Sequence, residues 1–130
     1  MKRKIIITAA VFGALAVIAG AFGAHGLEGK LTPKSFEVWH TAVQYQFYHV
    51  FALLFLSTLT RYKTGLVKNC YNLFTLGVIL FSGSLYLLAF SQMFNWQVMN
   101  FIGPVTPLGG LLLIGGWVTL GIAALTNKFV

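Results

Sequence analysis

Residues 40–49, HTAVQYQFYH, place two imidazoles, two amides and two phenols within fewer than three turns of any helix that contains them. An imidazole can ligate a metal, relay a proton, or join two helices by hydrogen bonds. At 3.6 residues per turn, His40, Gln44 and Tyr48 fall on one strip, and Thr41, Tyr45 and His49 on the next. Phe36, Trp39, Val43, Phe47, Val50 and Leu54 take the opposite side, and Gln46 strays toward it. Unpaired polar groups are costly in hydrocarbon, so polarity alone predicts that the first two strips face other helices and the apolar side faces lipid. Downstream, Thr75, Ser82 and Tyr86 share one helical face, and Gly77, Ser84 and Ser91 another.

These residues admit two uses. One is structural: interhelical hydrogen bonds worth about 0.6 kcal/mol each, sometimes 1–2. The other is a polar pocket for a lipid-like or other amphiphilic ligand, lined by His25, His40, Gln44, Tyr45, His49, Ser82, Ser84 and Tyr86. In that arrangement His25, His40 and Gln44 sit at the mouth. His49 lies about 13 Å deeper, at 1.5 Å per residue, level with Ser82, Ser84 and Tyr86. Ion-coupled transport normally uses a membrane-embedded charge. This chain has no aspartate, and its two glutamates, Glu28 and Glu37, fall near the first interhelical connection. A small channel or transporter with a polar pathway around His49 therefore stands as the alternative.

No catalytic set emerges. A Ser-His-Asp triad cannot be built without aspartate, and His25, Glu28 and Ser35 are only a coincidence of residue types. His25, His40, Met93 and Met99 would suit a soft copper ion, but nothing in their spacing enforces it. Haem between His25 and His40 is no better supported. Gly20, Gly23 and Gly26 follow no soluble strand and form no nucleotide loop. No cofactor or metal is expected, and the role is expected to be non-enzymatic. Cys70 is the sole cysteine, placed by sequence in a basic loop that would permit palmitoylation, although an inert thiol is the simpler reading.

The elements that must position these groups are membrane helices. Of 130 residues, 58% are hydrophobic and 8% charged, against about a quarter charged in soluble domains. Apolar runs at about 5–24, 41–60, 71–93 and 107–126 are each near the 20 or so residues a span requires. None alternates with period two, so the predicted fold is all-α: one four-span membrane bundle over residues 1–130. Thr32-Pro33 and Thr106-Pro107 each read as an N-cap followed by proline at the first helical position. Close helix packing is expected at Gly13, Gly20, Gly109, Gly110, Gly115 and Gly116.

A net charge of +7 is compatible with nucleic-acid binding, but its distribution describes topology instead. Lys2, Arg3, Lys4, Arg61, Lys63, Lys68 and Lys128 fall on one side of a four-span bundle; Lys30 and Lys34, offset by Glu28 and Glu37, fall on the other. The positive-inside rule then places both termini in the cytoplasm. Trp39 and Trp96 fall at the outer interface. MKRK followed by an apolar run also resembles a signal peptide, with Ala19-Gly20-Ala21 as its cleavage site. Retention is the preferred reading, because the run exceeds the usual 7–15 residues. The small-residue stripe Ala9, Gly13, Ala16, Gly20 and Ala24 also serves a helix that stays.

Four stretches, GAFGAHGL (20–27), TAVQYQFYHVFALL (41–54), LFSGSLYLL (80–88) and GPVTPLGGLLLIGGW (103–117), together resemble the small membrane proteins of domain-of-unknown-function family 423. That family is similar to eukaryotic transmembrane protein 256. The resemblance implies four spans in a bacterial plasma membrane and supplies no activity or catalytic residue. The expected partners are the lipid bilayer, a bound lipid or amphiphile, and a second copy or another membrane protein.

Overall fold

The computed structural model describes residues 1–62, 65–93 and 102–127. Every element it describes there is helical: α1 (Lys2–His25), α2 (Pro33–Thr58), a 3-10 turn (Leu59–Tyr62), α3 (Gly65–Met93) and α4 (Val105–Thr126). The expected spans 5–24, 71–93 and 107–126 thus sit within longer helices, whereas 41–60 runs past the end of α2 into the 3-10 turn. Trp96 and Met99 lie outside the described residues. α1, residues 65–91 of α3, and α4 are each long and apolar enough to cross a membrane; α2 is long enough but carries the polar segment.

Thr32 caps α2 as its sequence predicts. Its hydroxyl accepts from Ser35 N–H at 3.1 Å, and Pro33 follows at the first helical position. α4 departs from expectation. It starts at Val105 with Pro104 before it, and Thr106 does not cap it. The Thr106 hydroxyl instead bonds to Ser84 on α3, a neighbour that no local pattern could announce. Between α1 and α2, Lys30 N–H bonds to Leu27 C=O at 3.0 Å, closing a turn in which Gly29 adopts φ +75°. A side chain there would be strained.

α1 packs on α2, α2 on α3, and α3 on α4. Each pair is antiparallel, because contacts climb one helix as they descend the other. Against α1, Trp39, Val43 and Val50 meet Gly23, Gly20 and Gly13. Against α4, Phe74, Gly77 and Phe81 meet Gly116, Leu113 and Gly109. The seam positions step by four and three: 5, 9, 12, 16, 19 and 23 on α1, and 39, 43, 46, 50 and 53 on α2. This is the heptad spacing of knobs-into-holes packing. Flanked by α1 and α3, α2 carries a second seam, 42, 46, 49, 53 and 56, toward α3.

Two apolar clusters result. The larger gathers Ile5, Ala9, Leu53, Leu56, Val67, Cys70 and Phe74 toward the end with the amino terminus. The smaller gathers Leu27, Trp39, Val43 and Ala89 toward the other. Cys70 accordingly belongs to α3 and is 1% exposed, not in a loop. The outer surface is hydrocarbon: Val17, Ile18, Phe51, Leu111, Ile114 and Leu125 are all exposed.

Candidate functional site

The face of α2 that turns inward is only in part the one its polarity predicts: His49 is buried, and Phe36 and Leu54 are exposed, as expected. Trp39, Val43 and Val50 are buried, whereas His40, Gln44 and Tyr48 are exposed. Gln46, the residue that strays toward the apolar side, is buried. The reason is physical. In lipid an apolar side chain gains little by facing protein rather than acyl chains, so close packing chooses the face. The notch at Gly23 of α1 accepts Trp39, and Val43 and Val50 pack along the same line of small residues at Gly20 and Gly13, which sets the rotation of α2.

Gln46 then lies between the two apolar clusters and joins three helices. Its Nε2 donates to Phe12 C=O of α1 at 2.7 Å, and its Oε1 accepts from the Tyr86 hydroxyl of α3 at 2.7 Å. Helical side chains lean toward the amino terminus of their own helix. On an antiparallel pair, Gln46 and Tyr86 therefore lean toward each other, which lets them meet although their backbones lie at different levels. Beside them, Ser82 Oγ donates to Ala42 C=O at 2.8 Å. Trp39 Nε1 donates to Ala19 C=O at 3.0 Å, where the absent side chain of Gly23 leaves room for the indole. A Cβ at Gly23 would come within 2.6 Å of that nitrogen.

His49 occupies a separate level, nearer the amino-terminal end of the bundle. Trp117 Nε1 donates to His49 Nε2 at 3.1 Å, and His49 Nδ1 lies 2.7 Å from Tyr45 C=O. Since the indole can only donate and the carbonyl only accept, these partners assign a neutral imidazole with its proton on Nδ1. Both ring nitrogens are occupied. Phe74 and Trp117 pack on the ring with centroids at 5.4 and 5.9 Å.

The eight residues grouped by sequence are thus distributed, not gathered. His49, Ser82 and Ser84 are buried and Tyr86 is half-buried. His25, His40, Gln44 and Tyr45 are exposed. His49 meets Trp117, Phe74 and a carbonyl of its own helix; Ser82, Ser84 and Tyr86 bond elsewhere. Their expected common depth fails because antiparallel packing sets His49 beside Phe74, about two turns from Ser82. Sequence reading missed Trp117 and the roles of Gln46 and Thr106. Gln46 was signalled only by being an amide at a heptad position. Among the glycines, Gly109 and Gly116 sit in tight contacts, as do Gly23 and Gly77. Gly13, Gly20, Gly110 and Gly115 would admit a Cβ at ordinary contact distances of 3.5–3.8 Å. Among the described residues, no three His, Cys, Asp or Glu side chains gather as a metal site would require.

Comparison with known proteins agrees with this membrane architecture. The family described as "Protein of unknown function (DUF423)" matches residues 19–110. A UPF0382 membrane protein of Staphylococcus haemolyticus is 45% identical over 128 residues, covering 98% of each chain. The UPF0382 membrane protein YwdK of Bacillus subtilis is 43% identical, covering 94% of this chain and 96% of its own. One from Haemophilus influenzae is 34% identical over 98% of each. No solved structure matches. Matched almost end to end by membrane proteins of one kind, and by the family's own pattern from the end of α1 through α2 and α3 to the start of α4, the chain belongs to the DUF423 family of UPF0382 membrane proteins.

Proposed function

We propose that the chain is a non-enzymatic, four-span bundle of the bacterial plasma membrane, one domain over residues 1–130. In this reading both termini are cytoplasmic, α1 is retained, and the bundle either organises the membrane or binds a lipid-like ligand or membrane partner. The observation that carries it is the closure of the interhelical polar groups on one another. His49 has both nitrogens engaged, and Gln46 uses its amide nitrogen and its oxygen on two different helices. Groups so engaged hold helices together. α2 serves as the fourth span because its 26 residues reach about 39 Å. It is flanked lengthwise by α1 and α3, and it turns Tyr48, Phe51, Leu54 and Phe55 outward.

The topology is tested with single cysteines in a Cys70→Ser background. Lys30→Cys is expected to react with an impermeant maleimide in intact cells, and Lys2→Cys only after permeabilisation. The reverse pattern refutes the orientation. Flux is tested in proteoliposomes: no pH-dependent ion movement above empty vesicles is expected. Flux abolished by His49→Leu would replace this reading with a channel or transporter around His49.

A further inference from the structure

A cavity of about 840 Å³ opens where the start of α1, the end of α2 with its 3-10 turn, and the last turns of α4 converge. Its volume is within the range of small-molecule pockets. Two kinds of surface line it. Lys2 and Arg61 bring cationic nitrogens, and Phe55, Leu59, Leu120 and Ala124 form an apolar wall. Phe55 is 56% exposed, so the apolar wall continues onto the lipid-facing side of the bundle.

The polar inventory narrows the ligand. Thr58 and Thr60 line the cavity, but their hydroxyls donate to Phe55 C=O and Ser57 C=O of their own segment. They can offer a ligand only lone pairs. Donors for a ligand come mainly from the ammonium of Lys2 and the guanidinium of Arg61. One Arg61 N–H bonds to the Tyr62 hydroxyl at 2.7 Å, with the guanidinium 4.8 Å from that ring's centroid, which holds the group in place and leaves its other N–H donors. No carboxylate side chain competes at this end. The chain's two, Glu28 and Glu37, lie at the opposite end of the antiparallel bundle, beside the α1–α2 turn. The cavity thus joins a cationic, donor-rich mouth to an apolar wall open to hydrocarbon. An acyl-linked phosphate has that combination, and a free phosphate has only half of it.

We propose that this cavity binds one anionic phospholipid from the surrounding leaflet, with its phosphodiester on Lys2 and Arg61 and an acyl chain along Phe55, Leu120 and Ala124. The assignment rests on the reading of the protein as a lipid-binding membrane bundle and names the ligand class and its place. It explains why the positive end is a built recess and not merely a topological signal.

The test uses the full chain purified in mild detergent and delipidated. Native mass spectrometry then follows titration with phosphatidylglycerol or phosphatidylcholine. One phosphatidylglycerol is expected to bind in preference to phosphatidylcholine. Lys2→Gln and Arg61→Gln are each expected to weaken it about fivefold, the effect of one cation near a membrane surface. Lys68→Gln removes an equal charge from the same end of the bundle, outside the cavity, and is expected to change affinity less than about twofold. Ala124→Trp fills the recess at an exposed position and should weaken binding with no change of charge. Equal binding of the two lipids, or equal losses with Lys68→Gln and Arg61→Gln, overturns the site. Displacement by inorganic phosphate at millimolar concentration overturns the lipid as its source. These readouts are taken in detergent, so a failed cysteine-labelling pattern removes the orientation alone, and a failed lipid preference removes this site alone.

Discussion

Substitution of Gly109 by alanine is expected to destabilise the bundle, although alanine is the better helix former. A Cβ built at Gly109 falls against the backbone nitrogen of Phe81, with Phe81 Cα at 2.8 Å and the Leu80 carbonyl carbon at 2.9 Å. Comfortable carbon contacts are about 3.5–4.0 Å. Backbone atoms in the middle of a helix cannot rotate away as a side-chain tip can, so α3 and α4 must separate by roughly an ångström. That movement loosens the neighbouring steps of the seam, where Leu113 sits at Gly77 and Phe74 at Gly116, and pulls Ser84 from Thr106. Overpacking of this kind costs about 1–3 kcal/mol, and one interhelical hydrogen bond adds about 0.6. Alanine's helical advantage returns only about 0.5–1. The net loss is about 1–3 kcal/mol. Gly121 on the same helix supplies the control, since a Cβ there meets nothing within 4 Å. Gly121→Ala should therefore stabilise by about 0.5–1 kcal/mol. Thermal unfolding in mild detergent, followed by helical circular dichroism, should move the two variants in opposite directions. A Gly109→Ala protein as stable as Gly121→Ala would refute the claim that backbone contact joins α3 to α4.

His49→Leu should lower stability by about 1–3 kcal/mol by leaving the Trp117 indole N–H without its acceptor, whereas His49→Gln, which can accept that bond, should lose much less. Equal melts for the two variants would refute a structural role for the imidazole. Thr75 Oγ1 is the one buried side-chain polar atom without a hydrogen-bond partner found among the described residues. Thr75→Val should therefore stabilise by about 1 kcal/mol in the same assay, and a clear loss would reveal a partner for that hydroxyl.

The parts of this fold that are legible in the sequence are those encoded locally. The Thr32-Pro33 start of α2 is one, because a cap and its acceptor lie three residues apart. The rotation of α2 about its axis is not, because it is decided against another helix. The clue available was the spacing of small residues on α1. Gly13 and Gly20 stand seven apart, and so do the Val50 and Val43 that face them. Reading polarity instead turned the His40, Gln44 and Tyr48 strip inward, because it weighed the cost of polar groups in hydrocarbon and not the fit of one helix against another. Thr106 misled for a similar reason. Its hydroxyl looks like a cap when only its own helix is considered, and its partner Ser84 lies 22 residues away.

The candidate site was harder to read because its hydrogen bonds do not join pairs of polar side chains alone. Gln46 and Trp39 bond to Phe12 C=O and Ala19 C=O, and Ser82 and Cys70 to Ala42 C=O and Gly116 C=O. A helical carbonyl has a second lone pair beyond its own ladder bond, so any residue type can be the acceptor provided the helices come close enough. The chemical signal then appears on one helix only, and the other contributes a gap. Gln46 and Trp39 stand seven residues apart on α2, and their acceptors stand seven apart on α1 in the opposite direction. The same heptad register that seats valines at glycines therefore also aims polar donors at backbone. Such a seam keeps polar atoms satisfied inside hydrocarbon without matched polar partners on every helix. The polarity of residues 40–49 consequently splits between Gln46 and His49, which tie helices together, and His40 and Gln44, which face outward.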